Sequence, residues 1–396
     1  MRLSYSALLF LLAATAPSFA DEAMPHRTIN VRDHGAKCNG SHDDTAAFRK
    51  AFEKAPVGGM VLVPPGRCVV SDTLLINSAN AVSIVGAGRA SQIFQRATNK
   101  TLFEFRDVNG LVVKDLFLGS ASTVAGTALI KLTRSHHMRI DNITMLGSYY
   151  GLHLHGSLLN TIVDLRSGTN FGNTFFAAGL TSPNQYWVYG ERYTDPNPNN
   201  SVSANANTFV APVLEGGVNG LWLVDTHGEG SLNITGGTIE GVGIACACGV
   251  ALKLDGTFLS SSITGTHFEA NGAADIVLQA ASNVRISSIV SDKQISLFGD
   301  TRNVTISDSL AQNIFIDVGD GGYTAGGGTG TGAKRIILQN ITTCWAAGPS
   351  SIIPPWTAHT NLQGDGSSDP VVFNPNQGTN RRDIIYTNIG KLCGGG

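Results

Sequence analysis

Phe209-Val-Ala-Pro-Val-Leu-Glu215, Ile234-Thr-Gly-Gly-Thr-Ile-Glu240 and Ile263-Thr-Gly-Thr-His-Phe-Glu269 align without a gap. In each segment one apolar residue stands six positions before the glutamate and another directly before it. A strand sends alternate side chains to opposite faces. With Leu214, Ile239 and Phe268 turned inward, Glu215, Glu240 and Glu269 turn outward and form a ladder. Similar runs recur on both sides, at intervals of about 20 to 30 residues. Arg139-Ile-Asp-Asn-Ile-Thr144 echoes Arg335-Ile-Ile-Leu-Gln-Asn-Ile-Thr342, and Asn283-Val-Arg-Ile-Ser-Ser288 echoes Asn303-Val-Thr-Ile-Ser-Asp308. Each run is short, alternates apolar with polar residues and ends in Gly, Asn, Ser or Asp. The pattern is all-β, and its self-similarity points to a solenoid whose coils bury their cores against one another.

The repeats imply one β-solenoid body over residues 21–345. Ahead of the coils, Asp43-Asp44-Thr45 offers a helix N-cap, and Ala47, Phe48, Ala51, Phe52 and Ala55 share one helical face. A helix over residues 44–56 would cover the open end of the solenoid, where backbone groups and apolar core are otherwise exposed. Residues 1–20 read as a signal peptide: Arg2, the apolar run Ala7 to Ala14, and the small-x-small site Ser18-Phe19-Ala20. Secretion or a periplasmic location is the corresponding expectation. Residues 346–396 are rich in Pro, Gly and Asn and read as a tail packed on the solenoid, with Trp356 and Tyr386 as anchors.

The net charge is −2. That argues against a basic nucleic-acid face, and no run of apolar residues is long enough to suggest a membrane span. Six cysteines fit an oxidising compartment. Cys38 with Cys68 and Cys344 with Cys393 flank the two ends and are read as disulfide staples, whereas a bond between Cys246 and Cys248 would be strained. Cys-Ala-Cys has no second ligand pair, so no metal is expected. The glycine-rich stretch 319–332 lacks the Lys-Ser/Thr of a phosphate cradle, and no cofactor is expected.

The N-terminal block carries a family resemblance. Ile29-Asn-Val-Arg-Asp-His-Gly-Ala36, then Asp43-Asp-Thr-Ala-Ala-Phe48, then Gly58-Gly59 and Val61 to Gly66, resemble the opening of the pectate-lyase-like superfamily, which includes rhamnogalacturonase/epimerase-like proteins and relatives of glycoside hydrolase family 28. Cys38-Asn39-Gly40 replaces the usual Gly-Asp-Gly, and Arg67-Cys68 stands where an aromatic is common. The resemblance implies a right-handed parallel β-helix of the pectin lyase kind with an N-terminal capping helix. It spans hydrolases, lyases, epimerases and phage tailspikes, and so leaves the reaction open. It implies a polysaccharide partner, and a homotrimer is an arrangement common among such proteins. The Asn-Thr-Asp, Gly-His-Gly and Arg-Ile-Lys patterns of polygalacturonases are missing. The only Asp-Asp, Asp43-Asp44, belongs to the capping helix, and Asp317 with Asp320 falls short of a calcium site.

The glutamate ladder gives the leading catalytic expectation. Coils lie ~4.8 Å apart, so neighbouring glutamates approach the ~5 to 5.5 Å spacing of a retaining glycosidase pair and Glu215 with Glu269 the ~6.5 to 9.5 Å of an inverting pair. Glu240, Glu269 and Glu215 are the catalytic candidates. His267 shares their face, and Asp225, Glu229 and Asp275 are expected near the groove edge. A second candidate lies upstream. In Tyr149-Tyr150-Gly-Leu-His-Leu-His155, inward Leu152 and Leu154 leave Tyr150, His153 and His155 for substrate, with Lys131, Arg139 and Arg166 close in sequence. A uronate lyase needs such a base and a cation for the carboxylate. Tyr186, Trp187, Tyr189 and Tyr193 are expected as exposed aromatics, and Trp187 is assigned to substrate binding. The leading expectation is a glycan-cutting hydrolase. A lyase and a non-catalytic glycan-binding β-helix remain open beside it.

Overall fold

The computed structural model describes residues 28–122, 124–167, 185–244, 247–299, 301–316, 333–343, 371–373, 384–387 and 390–391. The chain winds into a right-handed parallel β-helix with three faces. Face A begins with Thr28–Asn30 and passes through Asn207–Val210, Leu232–Thr235 and Ser261–Thr264. Face B includes Gly66–Val70, Ser91–Gln95, Val213–Glu215, Thr238–Glu240 and His267–Glu269. Face C includes Phe103–Arg106, Ala128–Thr133, Tyr150–His155, Tyr186–Glu191, the start of Asn219–Gly230, and Val250–Phe258. Every pairing between strands of successive coils is parallel.

Identical positions in successive coils stack inside. Phe209, Ile234 and Ile263 pair in register on face A, and Leu214, Ile239 and Phe268 on face B, all fully buried. On face C the inner stack runs Ile130, Leu152, Val188, Leu221, Leu252. In six coils the corner from face A to face B is turned by one short polar residue in the left-handed region, Asp115, Asn142, Asp164, Ser288, Asp308 or Asn340, with φ between 49° and 59°, and in the middle coils by Ala211, by Gly236 with Gly237, and by Gly265. Short polar side chains tolerate that region better than other L-residues. They also bond to one another: Asn142 Nδ2 donates to Asp115 Oδ1 at 2.7 Å, and Asn340 Nδ2 to Asp308 Oδ1 at 2.8 Å.

The capping helix spans Thr45–Lys54, and Phe48, Ala51 and Phe52 are buried against the first coil. It stops before Pro56, which disfavours helical backbone in the residue ahead of it. The two acidic residues at its start divide the work. Asp43 Oδ1 accepts the Thr45 N–H at 3.0 Å. Asp44 is fully buried and accepts the Lys37 and Cys38 N–H groups instead. The Cys38–Cys68 disulfide is formed beside it. Cys248 is also disulfide-bonded. Cys246, Cys344 and Cys393, the signal segment and the stretch 319–332 lie outside the described residues.

The helix continues past the expected end at residue 345. Val371–Phe373, Ile384–Thr387 and Gly390–Lys391 pair in parallel with the preceding coil, one strand on each face. These strands extend the solenoid beyond that point. Among the described residues, no helix is long and apolar enough to cross a membrane.

Candidate functional site

The outer side of face B carries the glutamates in the expected register, Glu215 beside Glu240 and Glu240 beside Glu269. Glu215 and Glu240 are half-buried and Glu269 is exposed. His267 Nε2 lies 3.8 Å from Glu269 Oε2. The acidic column gains a member the sequence reading did not name, Asp292, whose carboxylate accepts the Ala270 N–H at 2.9 Å.

Face C holds a denser cluster. Tyr150–His155 and Tyr186–Glu191 pair in register, so Tyr150 meets Tyr186, His153 meets Tyr189 and His155 meets Glu191. In both strands two consecutive residues turn inward, Gly151 with Leu152 and Trp187 with Val188. This break in the period of two places positions i, i+3 and i+5 on the same outer face. Gly151 is required there, since a Cβ would lie 2.5 Å from the Trp187 carbonyl and 2.8 Å from Met145 Cε. Tyr150 stacks flat on Tyr189, with centroids 4.8 Å apart, and touches His153 at 4.6 Å. His153 lies over His155 at 5.4 Å, and His155 meets Tyr193 at 5.1 Å. These rings stack mainly on one another, so the cluster is a close-packed aromatic column and not an open row of platforms.

Burial sets the protonation states. His153 is 3% exposed. Desolvation lowers its pKa, against the opposing pull of Glu191, whose Oε1 lies 2.9 Å from His153 Nε2. Burial alone would raise the Glu191 pKa. The bond from His153 and the charges of the histidines and Lys131 outweigh it and bring the carboxyl below its usual range. At neutral pH the pair is therefore a neutral imidazole donating to an ionised carboxylate. His155 is pushed down to about 4 by burial, then by His153 and Lys131. The Tyr150 phenol is pushed well up by burial, then by Tyr189 and Glu191, and stays protonated. The Nδ1 atoms of His153 and His155 are both buried without a hydrogen-bond partner.

A column of outer side chains runs along the axis through this cluster: Glu104, Lys131, His153, Tyr189, Trp222 and Lys253, one per coil. Most cations near it are neutralised. Arg106 pairs with Glu104 at 2.7 Å, Arg134 with Asp107 at 2.7 Å, Arg192 with Glu229 at 2.8 Å and Lys253 with Asp255 at 2.9 Å. Half-buried Lys131 makes no ion pair among the described residues.

Three sequence assignments are corrected. Trp187 is 2% exposed, and its indole N–H donates to the Gly216 carbonyl at 2.9 Å. It belongs to the core, because it falls on the first of the two inward positions. Asp225 is buried on the inner side of its strand, where alternation from Leu221 and Leu223 puts it. Asp275 is fully buried and accepts hydrogen bonds from Asn271 Nδ2, Ser291 Oγ and the Lys293 N–H. None of the three lines a groove. Glu229 is exposed and paired with Arg192. Glu191, Trp222 and Lys253 were missed. The signal for Glu191 lay in the spacing, since Tyr186-x-x-Tyr189-x-Glu191 repeats Tyr150-x-x-His153-x-His155.

Residues 28–188 match the family model described as rhamnogalacturonase A/epimerase, pectate lyase-like. The matched stretch is less than half of the chain, and the parallel β-helix that runs through it continues beyond it. Among solved structures, the chain is similar to PfbA, a surface adhesin of Streptococcus pneumoniae, with a TM-score of 0.59, 12% identity, and coverage of 80% of this chain and 86% of that one. It is similar also to ORF18 of Geobacillus virus E2, with a TM-score of 0.55, 16% identity, and coverage of 81% of this chain. The chain spans 62% of the length of that viral protein. At such identities the likeness is one of fold. No curated protein matches by sequence.

Proposed function

We propose that this chain is an exported enzyme that binds a uronate-containing polysaccharide along face C and removes the proton alpha to the uronate carboxylate. That proton transfer is the step shared by uronate lyases and epimerases. The observation that carries the reading is the row of a protonated phenol and neutral imidazoles on face C, Tyr150 against His153 at 4.6 Å and His153 over His155 at 5.4 Å, beside Lys131, which makes no ion pair among the described residues. Lys131 meets the carboxylate and stabilises the charge that develops on it. His155 takes the proton, and the electron pair passes into the carboxylate. Tyr150 then supplies a proton. Delivered to the departing glycosidic oxygen as its bond to the sugar carbon breaks, this proton completes an elimination and leaves an unsaturated uronate. Delivered to the opposite face of the same carbon, it completes an epimerisation. His153, tied to Glu191, is a positioning residue that holds the His155 ring through their stacking. The family model's description names an epimerase and a pectate lyase-like fold beside rhamnogalacturonase A, and so accommodates this chemistry and hydrolysis alike.

Hydrolysis by paired carboxylates is the second reading, favoured by Glu215 and Glu240 standing in register and half-buried on face B. A panel of polysaccharides separates the two. Unsaturated uronate absorbance reports elimination, solvent deuterium at the carbon alpha to the carboxylate reports epimerisation, and new reducing ends without absorbance report hydrolysis. Tyr150→Phe and His155→Ala are each expected to reduce turnover at least ~100-fold with unchanged folding. Full activity in both variants would sink the assignment.

A further inference from the structure

Between the face C strand Ala128–Thr133 and the strand that opens at Arg139, the chain turns a corner. In three successive coils this corner sends two consecutive residues outward between two buried ones. Val108 and Leu111 are buried around Asn109 and Gly110, and Ser157 and Asn160 around Leu158 and Leu159. In the coil between them the buried pair is Ser135 and Met138, and both outward residues are histidines, His136 and His137. Their backbones are pinned to the neighbouring coils. The His136 N–H donates to the Val108 carbonyl at 3.1 Å, the His136 carbonyl accepts the Gly110 N–H at 3.1 Å, and the His137 N–H donates to the Leu158 carbonyl at 3.4 Å. His137 has a left-handed φ of 54°, and Gly110 and Leu159 are left-handed at the same position. The two rings meet at 74° with centroids 5.3 Å apart, and their Nδ1 atoms lie 3.0 Å from one another.

We propose that this pair is a surface site for a divalent transition-metal ion, copper(II) above others, held through Nδ1 of both rings. Imidazole nitrogen suits copper, nickel and zinc. With metal–nitrogen bonds of ~2.0 to 2.1 Å, two nitrogens at a right angle are about 2.8 to 3.0 Å apart, and at the tetrahedral angle about 3.3 to 3.4 Å. The 3.0 Å between His136 and His137 fits the right angle. Square-planar or tetragonal copper(II) and nickel(II) adopt that angle, whereas zinc prefers the tetrahedron. Copper(II) also stands highest in the affinity order of the first-row ions. Without an ion, one Nδ1 carries a proton and donates it to the other. Entry of the ion moves that proton to Nε2 of the same ring, through solvent, and breaks only the contact between the rings.

The surroundings leave room for the rest of the coordination. His136 is half-buried and His137 exposed. Gly110 stands one coil before His137, and a Cβ there would meet nothing within 4 Å. Among the described residues no third His, Cys, Asp or Glu joins the two as a ligand, so water fills the remaining positions. The cations nearest in sequence are already answered, Arg134 by Asp107 at 2.7 Å and Arg139 by Asp141 at 2.7 Å.

The test is titration of the full chain with copper(II) alone, read by calorimetry and, at one equivalent, by electron paramagnetic resonance. The expected result is one leading site whose spectrum carries the splitting of two imidazole nitrogens, with nickel(II) bound at least as tightly as zinc(II). His136→Ala and His137→Gly should each weaken that site at least ~10-fold and leave one imidazole in the spectrum. Glycine accepts the left-handed φ at 137, and equal melting temperatures check that both variants fold; if one does not, the other carries the test. His267→Ala, which removes a histidine on the outer side of face B, should leave the site intact. No copper site, a site that survives both corner variants, or one lost in His267→Ala instead would overturn the proposal, as would a preference for zinc over nickel. The contact would then be a hydrogen bond between two rings and nothing more.

Discussion

Replacing Asp275 by Asn should change how stability depends on pH. Asp275 is fully buried, and desolvation pushes its carboxyl from 3.8 up to about 6, against the hydrogen bonds from Asn271, Ser291 and Lys293. Because the folded-state pKa is raised, the contribution favours folding below the unfolded value near 3.8. It is lost as pH rises through about 6. A shift of roughly two units corresponds to about 3 kcal/mol at ~1.36 kcal/mol per unit. The wild type therefore carries a penalty of that order at neutral pH that it does not carry at pH 4. Asn keeps the shape and removes the titration. It also turns one acceptor into a donor facing the Lys293 N–H, at a cost of about 1–3 kcal/mol, but that cost does not vary with pH. Urea midpoints of wild type and Asp275→Asn, measured from pH 4 to 7.5, give the difference directly. The variant should gain on the wild type by about 2.4 kcal/mol over that range, the rest of the shift falling below pH 4. Other titrating groups, such as Asp72, held down to about 2 by Arg49 and its backbone contact, contribute equally to both proteins and cancel. A difference that stays flat across the range would refute the reasoning.

Three further outcomes follow from the same geometry. Since His155 must be neutral to accept a proton and is held so down to about 4, turnover should persist below pH 6 and fall on acidification through about 4. A limb at the ordinary imidazole value, seen in the pH profile of kcat, would exclude His155 as the base. Glu240→Gln should retain turnover within about threefold if the chemistry is on face C. A loss of ~100-fold or more in that variant, with His155→Ala unaffected, would move the site to the glutamates. Gly151→Ala should lower stability by about 1–3 kcal/mol, because the added Cβ overlaps the Trp187 carbonyl and Met145. A urea midpoint equal to wild type would contradict the inward step at that position.

The fold was legible because what makes it is local and repeated. Alternation buried Phe209, Ile234 and Ile263, and the glutamates fell into register because the apolar positions around them did. The corner residues announced themselves as Asn, Asp and Gly at the ends of runs. The capping helix was readable from Phe48 and Phe52, and the N-terminal disulfide from its place at the end of the solenoid. The final coil was obscured because its strands, Val371–Phe373 and Ile384–Thr387, are short and widely separated.

The site was only half legible, for reasons that can be located. Asp225 obeys strict alternation from Leu221 and Leu223, which puts it inside, against the general preference of carboxylates for water. Trp187 fails in the opposite way, because Trp187 and Val188 are both inward and a strict period of two does not hold across them. Glu191 is 38 residues from the histidine it holds. No local rule joins residues so far apart, but the solenoid supplies one. Since each coil sets its side chains directly over those of the coil before, a functional cluster on such a fold must be assembled from equivalent positions. Tyr150 with Tyr186, His153 with Tyr189 and His155 with Glu191 are three such pairs. A spacing of i, i+3, i+5 that recurs in chemically rich residues is therefore evidence of a shared outer face, even where the residues themselves differ. Charge type then separates the members. Both strands supply phenols, the first supplies the imidazoles, and the second supplies the carboxylate that holds one of them.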